Sequence, residues 1–302
     1  MKPLLVWLIL CVIWGTTWIF IKRGLDDLPP VSFAAIRFTV ACLLILPALW
    51  WQKIPFPKGR ATWIIIFITG FLQFFFNYGL LFWGEQHISS GLAAVLQATI
   101  PAFGLILARI YVGESITGLK IVSILLGLLG ISVIFREQLT LNGQMAFLGS
   151  LAIVVGAFGA SYASVLTKAK GQKLHPASMV FGQMLVGHIP LWFVGLSFEG
   201  NPLAFHWTWN AAICVLYLAI MGSIVAFWLY YWLLTRIEST KAMTISLVTP
   251  LVAVVIGTVA LGETLPPQTF FGGLLILGSV GIIILRSRRK SDGAGIHVTA
   301  GS

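Results

Sequence analysis

The chain has 302 residues, of which 58% are hydrophobic and only 9% charged, with a formal net charge of +10. An ordinary soluble domain carries about 25% charged residues, and a soluble fold of this length has no interior large enough for so much apolar surface. A water-soluble globule is therefore excluded, and lipid is the solvent for much of the surface.

A bilayer core about 30 Å thick needs about 20 apolar residues in a helix rising 1.5 Å per residue. In chain order the sequence predicts ten such spans, roughly 3–22, 31–50, 61–83, 89–112, 118–135, 145–167, 177–197, 210–234, 240–261 and 268–286. Barrel strands would read as shorter alternating segments, which are absent. Lys2 precedes the first apolar run as in a signal peptide, but no small-x-small cleavage site follows, so it reads as the first helix.

The positive charge is a topology signal. With the N-terminus inside, Lys2, Lys53, Lys58, Arg60, Arg109, Lys120, Lys168, Lys170, Lys173, Arg236, Lys241, Arg286, Arg288, Arg289 and Lys290 fall on the inner side. The outer side keeps Lys22, Arg23 and Arg136, so both termini are expected in the cytoplasm, and nucleic acid is not an expected partner. Cys11, Cys42 and Cys214 lie within apolar spans and read as small buried hydrophobes, with no metal or other cofactor implied. Residues 287–302 are polar and predict a disordered tail.

Each polar group at membrane depth raises the question of its partner. In the first span Trp14 lies deep, with Trp18 beside it; in the second, Arg37 sits about 10 Å past Pro30 and predicts a structural pairing, with carboxylate recognition as the alternative. In the third, Gln73 and Asn77 share one face, as a cavity wall or as helix–helix glue, and Tyr78 lies beside them. Glu85 is expected at the interface, and Trp83 in an aromatic belt. In the fourth span Pro101 frees the carbonyl of Gln97, and in the ninth Pro250 frees that of Ser246, so both prolines read as hinges beside polar residues. The sixth span carries a small-residue stripe of Gly156, Ala160 and Ser164, read as a packing seam. His188 in the seventh reads as structural, with proton coupling as the alternative, and Trp228 in the eighth as a deep aromatic. Glu114 and Glu263 each follow a glycine just before a helix, where a carboxylate suits the N-terminal dipole of the fifth and tenth helices.

Two phrases repeat. SGLAAVLQATIPAFGLILARIYVGE begins at Ser90 and STKAMTISLVTPLVAVVIGTVALGE begins 149 positions later, at Ser239. The same offset pairs Trp83 with Trp232 and Glu114 with Glu263, while upstream an offset of 146 pairs Pro30 with Pro176 and Arg37 with Gln183. The expected fold is thus an all-α membrane protein of ten transmembrane helices in two five-helix repeats, 3–135 and 145–286. Five is odd, so the second repeat enters from the opposite side and the two are inverted.

The phrases WGTTW, PPVSFAAIRF, SGLAAVLQATIP, GSIVAFWLYYWLL and TPLVAVVIGTVALGE resemble the EamA family of the drug/metabolite transporter superfamily. The resemblance implies a bacterial inner-membrane exporter of small metabolites, amino acids or drugs, with a central cavity lined by helices 1, 3, 4, 6, 8 and 9. In the sixth helix the family often has a Trp where this chain has Tyr162. The expected substrate residues are therefore Trp14, Gln73, Asn77, Tyr78, Gln97, Tyr162, Trp228 and Ser246. The drive is either a proton gradient or downhill flow, and the assembly a monomer or a homodimer in membrane lipid. No Walker loop is present, and HExxH and GxSxG are absent, so neither ATP drive nor an embedded enzyme is expected.

Overall fold

In the computed structural model, residues 2–88, 90–134, 143–171, 174–261, 268, 271–279 and 282 are described. Among them the structure is all-helical, and helical residues fall in each of the ten expected spans. The helices are α1 (Pro3–Leu25), α2 (Pro30–Trp51), α3 (Arg60–Glu85), α4 in two pieces (Ser90–Gln97 and Ile100–Val112) and α5 (Gly118–Ile134). Then come α6 (Gln144–Lys170), α7 (Pro176–Phe198), α8 (Trp209–Leu234), α9 in two pieces (Ser239–Met243 and Ile245–Leu261) and α10 (residues 271–279). Seven of these are long and apolar enough to cross a membrane. Glu263 and the tail 287–302 lie outside the described residues.

Proline opens α1, α2 and α7, where its missing N–H costs nothing. Burial runs opposite to that of a soluble protein. Leu43, Phe193, Phe198 and Trp50 are exposed, whereas Arg37, Thr69, Gln73, Asn77, Gln97 and Gln183 are buried. Lipid accepts the first set, and the second must find partners within the bundle. Glycine lets α3 and α6 approach closely, since a Cβ on Gly84 would meet the Gly149 carbonyl at 2.7 Å.

Both α3 and α8 widen to π-helix, over Phe71–Asn77 and Ile220–Val225. The two segments start 149 positions apart, the offset of the repeated phrases. Such a widening frees carbonyls for other donors. Gly222 O accepts from both Arg37 Nη2 at 3.0 Å and Trp14 Nε1 at 3.4 Å.

Carboxylates tie the ends of the bundle. At the end bearing Lys2, Gly113 turns through the left-handed region (φ 72°) and aims Glu114 across the bundle. The carboxylate accepts from Ser239 N and Oγ, both at 2.6 Å, and from Thr240 N and Oγ1 at 3.2 and 2.8 Å. Glu114 thus caps α9, which corrects the expectation that it serves the fifth helix. A sequence neighbour is not the nearest N-terminus once the chain turns back. At the same end Glu238 pairs with Lys120 and Lys241, at 3.4 and 3.0 Å. Burial opposes ionisation of Glu238, but the hydrogen bonds and charges of the two lysines outweigh it and hold the carboxyl below its usual range. At the other end Glu199, at the end of α7, accepts from Val31 N and Ser32 N and caps α2. Asp27 accepts from Thr208 Oγ1 at 2.7 Å and Asn210 Nδ2 at 3.0 Å. Glu85, the last residue of α3, is fully buried, because α3 and α6 pack tightly at Gly84.

Glu114→Ala should cost about 2–3 kcal/mol of thermal stability in detergent, with Glu114→Gln losing less, because four donors at a helix start lose their acceptor. Equal melting of Glu114→Ala and wild type would contradict the cap. Hydrogen bonds from Thr208 and Asn210, with a smaller one from His206, hold the Asp27 carboxyl below its usual range. A depressed carboxyl contributes stability above its unfolded pKa, about 3.9, and loses it as pH falls through the folded value. Melting temperature should therefore decline below about pH 4, and less steeply in Asp27→Asn.

Candidate functional site

A cavity of about 120 Å³ lies at the centre of the bundle, large enough for a cluster of waters or a small organic group. Its described walls come from α1, α3, α4, α6, α8 and α9, the six helices that the resemblance implies.

Six of the eight expected substrate residues line it: Trp14, Gln73, Asn77, Tyr78, Gln97 and Ser246. The π segment of α3 carries Gln73 and Asn77, both buried. Gln97 Nε2 donates to Asn77 Oδ1 at 3.0 Å, joining the α3 and α4 walls. This pair satisfies one donor and one acceptor and leaves amide capacity for a solute or water. The lining is also aromatic. Trp14 meets Phe227 and Tyr230 edge-on, with centroids 5.5 and 5.3 Å apart. Such a site presents both apolar ring surface and hydrogen-bonding groups to a solute.

Tyr162 and Trp228 lie outside the cavity. Ala160 and Ser164 form the cavity face of α6, and Tyr162, two residues from each, points about 200° away. Its hydroxyl meets that of Tyr111 at 2.9 Å on the α4 side. In α8 the cavity face carries Phe227 and Tyr230, and Trp228 instead packs near His175. His188 Nδ1 contacts the Met184 carbonyl at 2.9 Å, one turn earlier in its own helix. It makes a local structural bond.

Both proline segments interrupt their helices, in different ways. The fourth helix breaks between Gln97 and Ile100, and Pro101 opens its second piece. In α9 the break is at Thr244, and Pro250 lies within the second piece. The Ser246 carbonyl that Pro250 would leave free accepts from Thr249 Oγ1 at 3.4 Å. Thr249, Thr17, Ser164, Tyr230 and Met243 also line the cavity and were missed from sequence. The helical spacing from Ser246 to Thr249 and from Trp14 to Thr17 was a usable signal. So was the stripe: a Cβ on Gly156 would meet the Asn77 carbonyls at 3.2 and 3.3 Å, while Ala160 and Ser164 face the cavity.

A multi-pass membrane protein with a chamber between its helices has the architecture of a solute transporter. The profile of the EamA-like transporter family matches the chain twice, over residues 1–136 and 147–285, and the chain belongs to that family. It is 32% identical to the uncharacterized inner membrane transporter YedA of Escherichia coli K12, over 85% of this chain and 82% of YedA. It is 27% identical to a protein of the same organism described as a probable amino-acid metabolite efflux pump, over 89% of this chain and 90% of that one. A solved crystal structure shares the fold with a TM-score of 0.81, at 18% identity, over 95% of this chain and 98% of the other. As an EamA-like transporter the protein is a membrane transporter and not an enzyme.

Proposed function

We propose that the chain is a secondary transporter that exports small organic metabolites, amino acids and related compounds among them, across a bacterial inner membrane. The observation that carries this reading is the central chamber, whose walls come from helices of both repeated halves. In this reading residues 3–135 and 145–286 are inverted repeats, both termini are cytoplasmic, and the chamber opens alternately to the two sides. The outward direction is supported by the relative described as an efflux pump. Trp14, Gln73, Asn77, Tyr78, Gln97 and Ser246 contact the solute, and the breaks beside Pro101 and Pro250 let the ends of α4 and α9 swing. Closure rests on hydrogen bonds such as those of Glu114, which water can replace, so it is reversible. Drive comes from a proton gradient or from downhill flow.

The test is efflux from proteoliposomes preloaded with mixed amino acids and aromatic solutes, with and without a pH gradient. Saturable, protein-dependent efflux is expected; a linear, unsaturable flux would show a channel. Gln73→Ala and Gln97→Ala should each lower efflux about tenfold while inserting normally, as expected for the loss of a hydrogen bond to solute of about 1.4 kcal/mol. Unaltered flux in both would remove the amides from the site.

A further inference from the structure

No described residue lining the chamber carries a formal charge. One layer behind the wall sits Arg37, the bulkiest fully buried side chain, with 1% of its surface exposed. Its Nε donates to Ser223 Oγ at 2.9 Å and its Nη2 to Gly222 O at 3.0 Å. The guanidinium lies 4.9 Å from the ring centroid of Tyr78 and 5.1 Å from that of Phe38. These partners are the Ser223 hydroxyl, a carbonyl, the Phe38 ring and Tyr78, whose hydroxyl as well as its ring lies beside the guanidinium; none of them is a carboxylate, and Nη1 makes no hydrogen bond among the described residues. One of the groups it touches, Tyr78, forms part of the chamber wall, and another, Gly222 O, also accepts from Trp14 of that wall.

A buried cation without a counter-ion is costly, so its charge needs a reason. Architecture alone does not supply one. Gln183, which matches Arg37 in the repeated sequence, braces α7 with a neutral amide, donating to Thr69 Oγ1 at 2.6 Å and Thr167 Oγ1 at 3.3 Å and accepting from Tyr231. The same bracing is thus achieved without charge in the other half. What Arg37 adds is a fixed positive potential beside a chamber with low-dielectric walls, where a single charge is weakly screened.

We propose that Arg37 makes the chamber select carboxylate-bearing solutes over amines, acting as a specificity-determining residue through Tyr78 and the Trp14–Gly222 contact. This rests on the transport reading above and names the charge class of its solute. A carboxylate entering the chamber becomes the missing counter-ion; an alkylammonium of the same shape is repelled.

The test reads the charge directly. Thr17 lines the chamber, and a Cβ on Gly222 would lie 2.9 Å from Thr17 Cγ2 and 3.0 Å from Arg37 Nη2, so a thiol at residue 17 reports on the guanidinium. With the three native cysteines replaced, Thr17→Cys is labelled with a sulfonate-bearing and with a trimethylammonium-bearing methanethiosulfonate. The ratio of rates is normalised to that of a free thiol. The expected normalised ratio favours the anionic reagent by about tenfold. It should persist in Arg37→Lys and fall towards one in Arg37→Gln, with melting temperatures recorded for each. 4-Methylpentanoate should protect the thiol at lower concentration than 3-methylbutylamine.

A ratio at or below one with Arg37 in place overturns the proposal even if Arg37→Gln does not fold. So does an unchanged ratio in folded Arg37→Gln, labelling by neither reagent from either side, or equal or absent protection by the two solutes. An anion-favouring ratio without protein-dependent flux of any solute would keep the charge assignment and sink the transport reading. Flux with no charge preference would do the reverse.

Discussion

Inside a bilayer no water stands ready to satisfy a polar group, and this constraint organises the molecule from topology to site. Every amide, hydroxyl and charge at membrane depth must turn inward and find a partner there. The buried set of Arg37, Thr69, Gln73, Asn77, Gln97 and Gln183 is the result. The inward turn creates the polar seams between helices, and where the seams fail to close a chamber remains. Gln97 bonded to Asn77 is both a seam and a wall. The π segments serve the same end, since a widened helix offers carbonyls that a regular one keeps for itself. Gly222 O, shared by Trp14 and Arg37, is the clearest case.

The ends of the bundle are held differently from its middle. There a carboxylate from one half of the chain caps a helix of the other: Glu114 caps α9, and Glu199 caps α2. Charge-assisted bonds of this kind are stronger than neutral ones but exchangeable for water, unlike the close backbone packing at Gly84 and Gly149. Ala242 and Met243, one turn beyond Ser239, line the chamber. Releasing the Glu114 cap would therefore free the turn of α9 that forms one boundary of the chamber.

The spans were legible in the sequence because lipid demands continuous apolar helices, and a composition with 9% charge leaves few alternatives. The amides were legible for the complementary reason: a Gln or Asn in such a span has to face inward. What failed was rotation. Tyr162 and Trp228 are deep enough to reach the chamber but sit on the wrong face of helices whose orientation is set by packing. Thr17 and Thr249 share the right faces and were passed over because hydroxyls bonded within their own helix look unremarkable in sequence. Glu114 was legible as a cap and misassigned in its target, since the Gly113 turn directs it to a helix 125 positions away in sequence.

The central claim is that the chamber opens at the end bearing Glu114 during each cycle. The most direct measurement is efflux by a Glu114→Cys, Ser239→Cys double variant before and after bridging the two thiols with a short bifunctional methanethiosulfonate, then after reduction. The account predicts that bridging abolishes efflux and that reduction restores it to the level of the unbridged variant. Full efflux by the bridged protein would contradict opening at this end, and with it alternating access through the chamber.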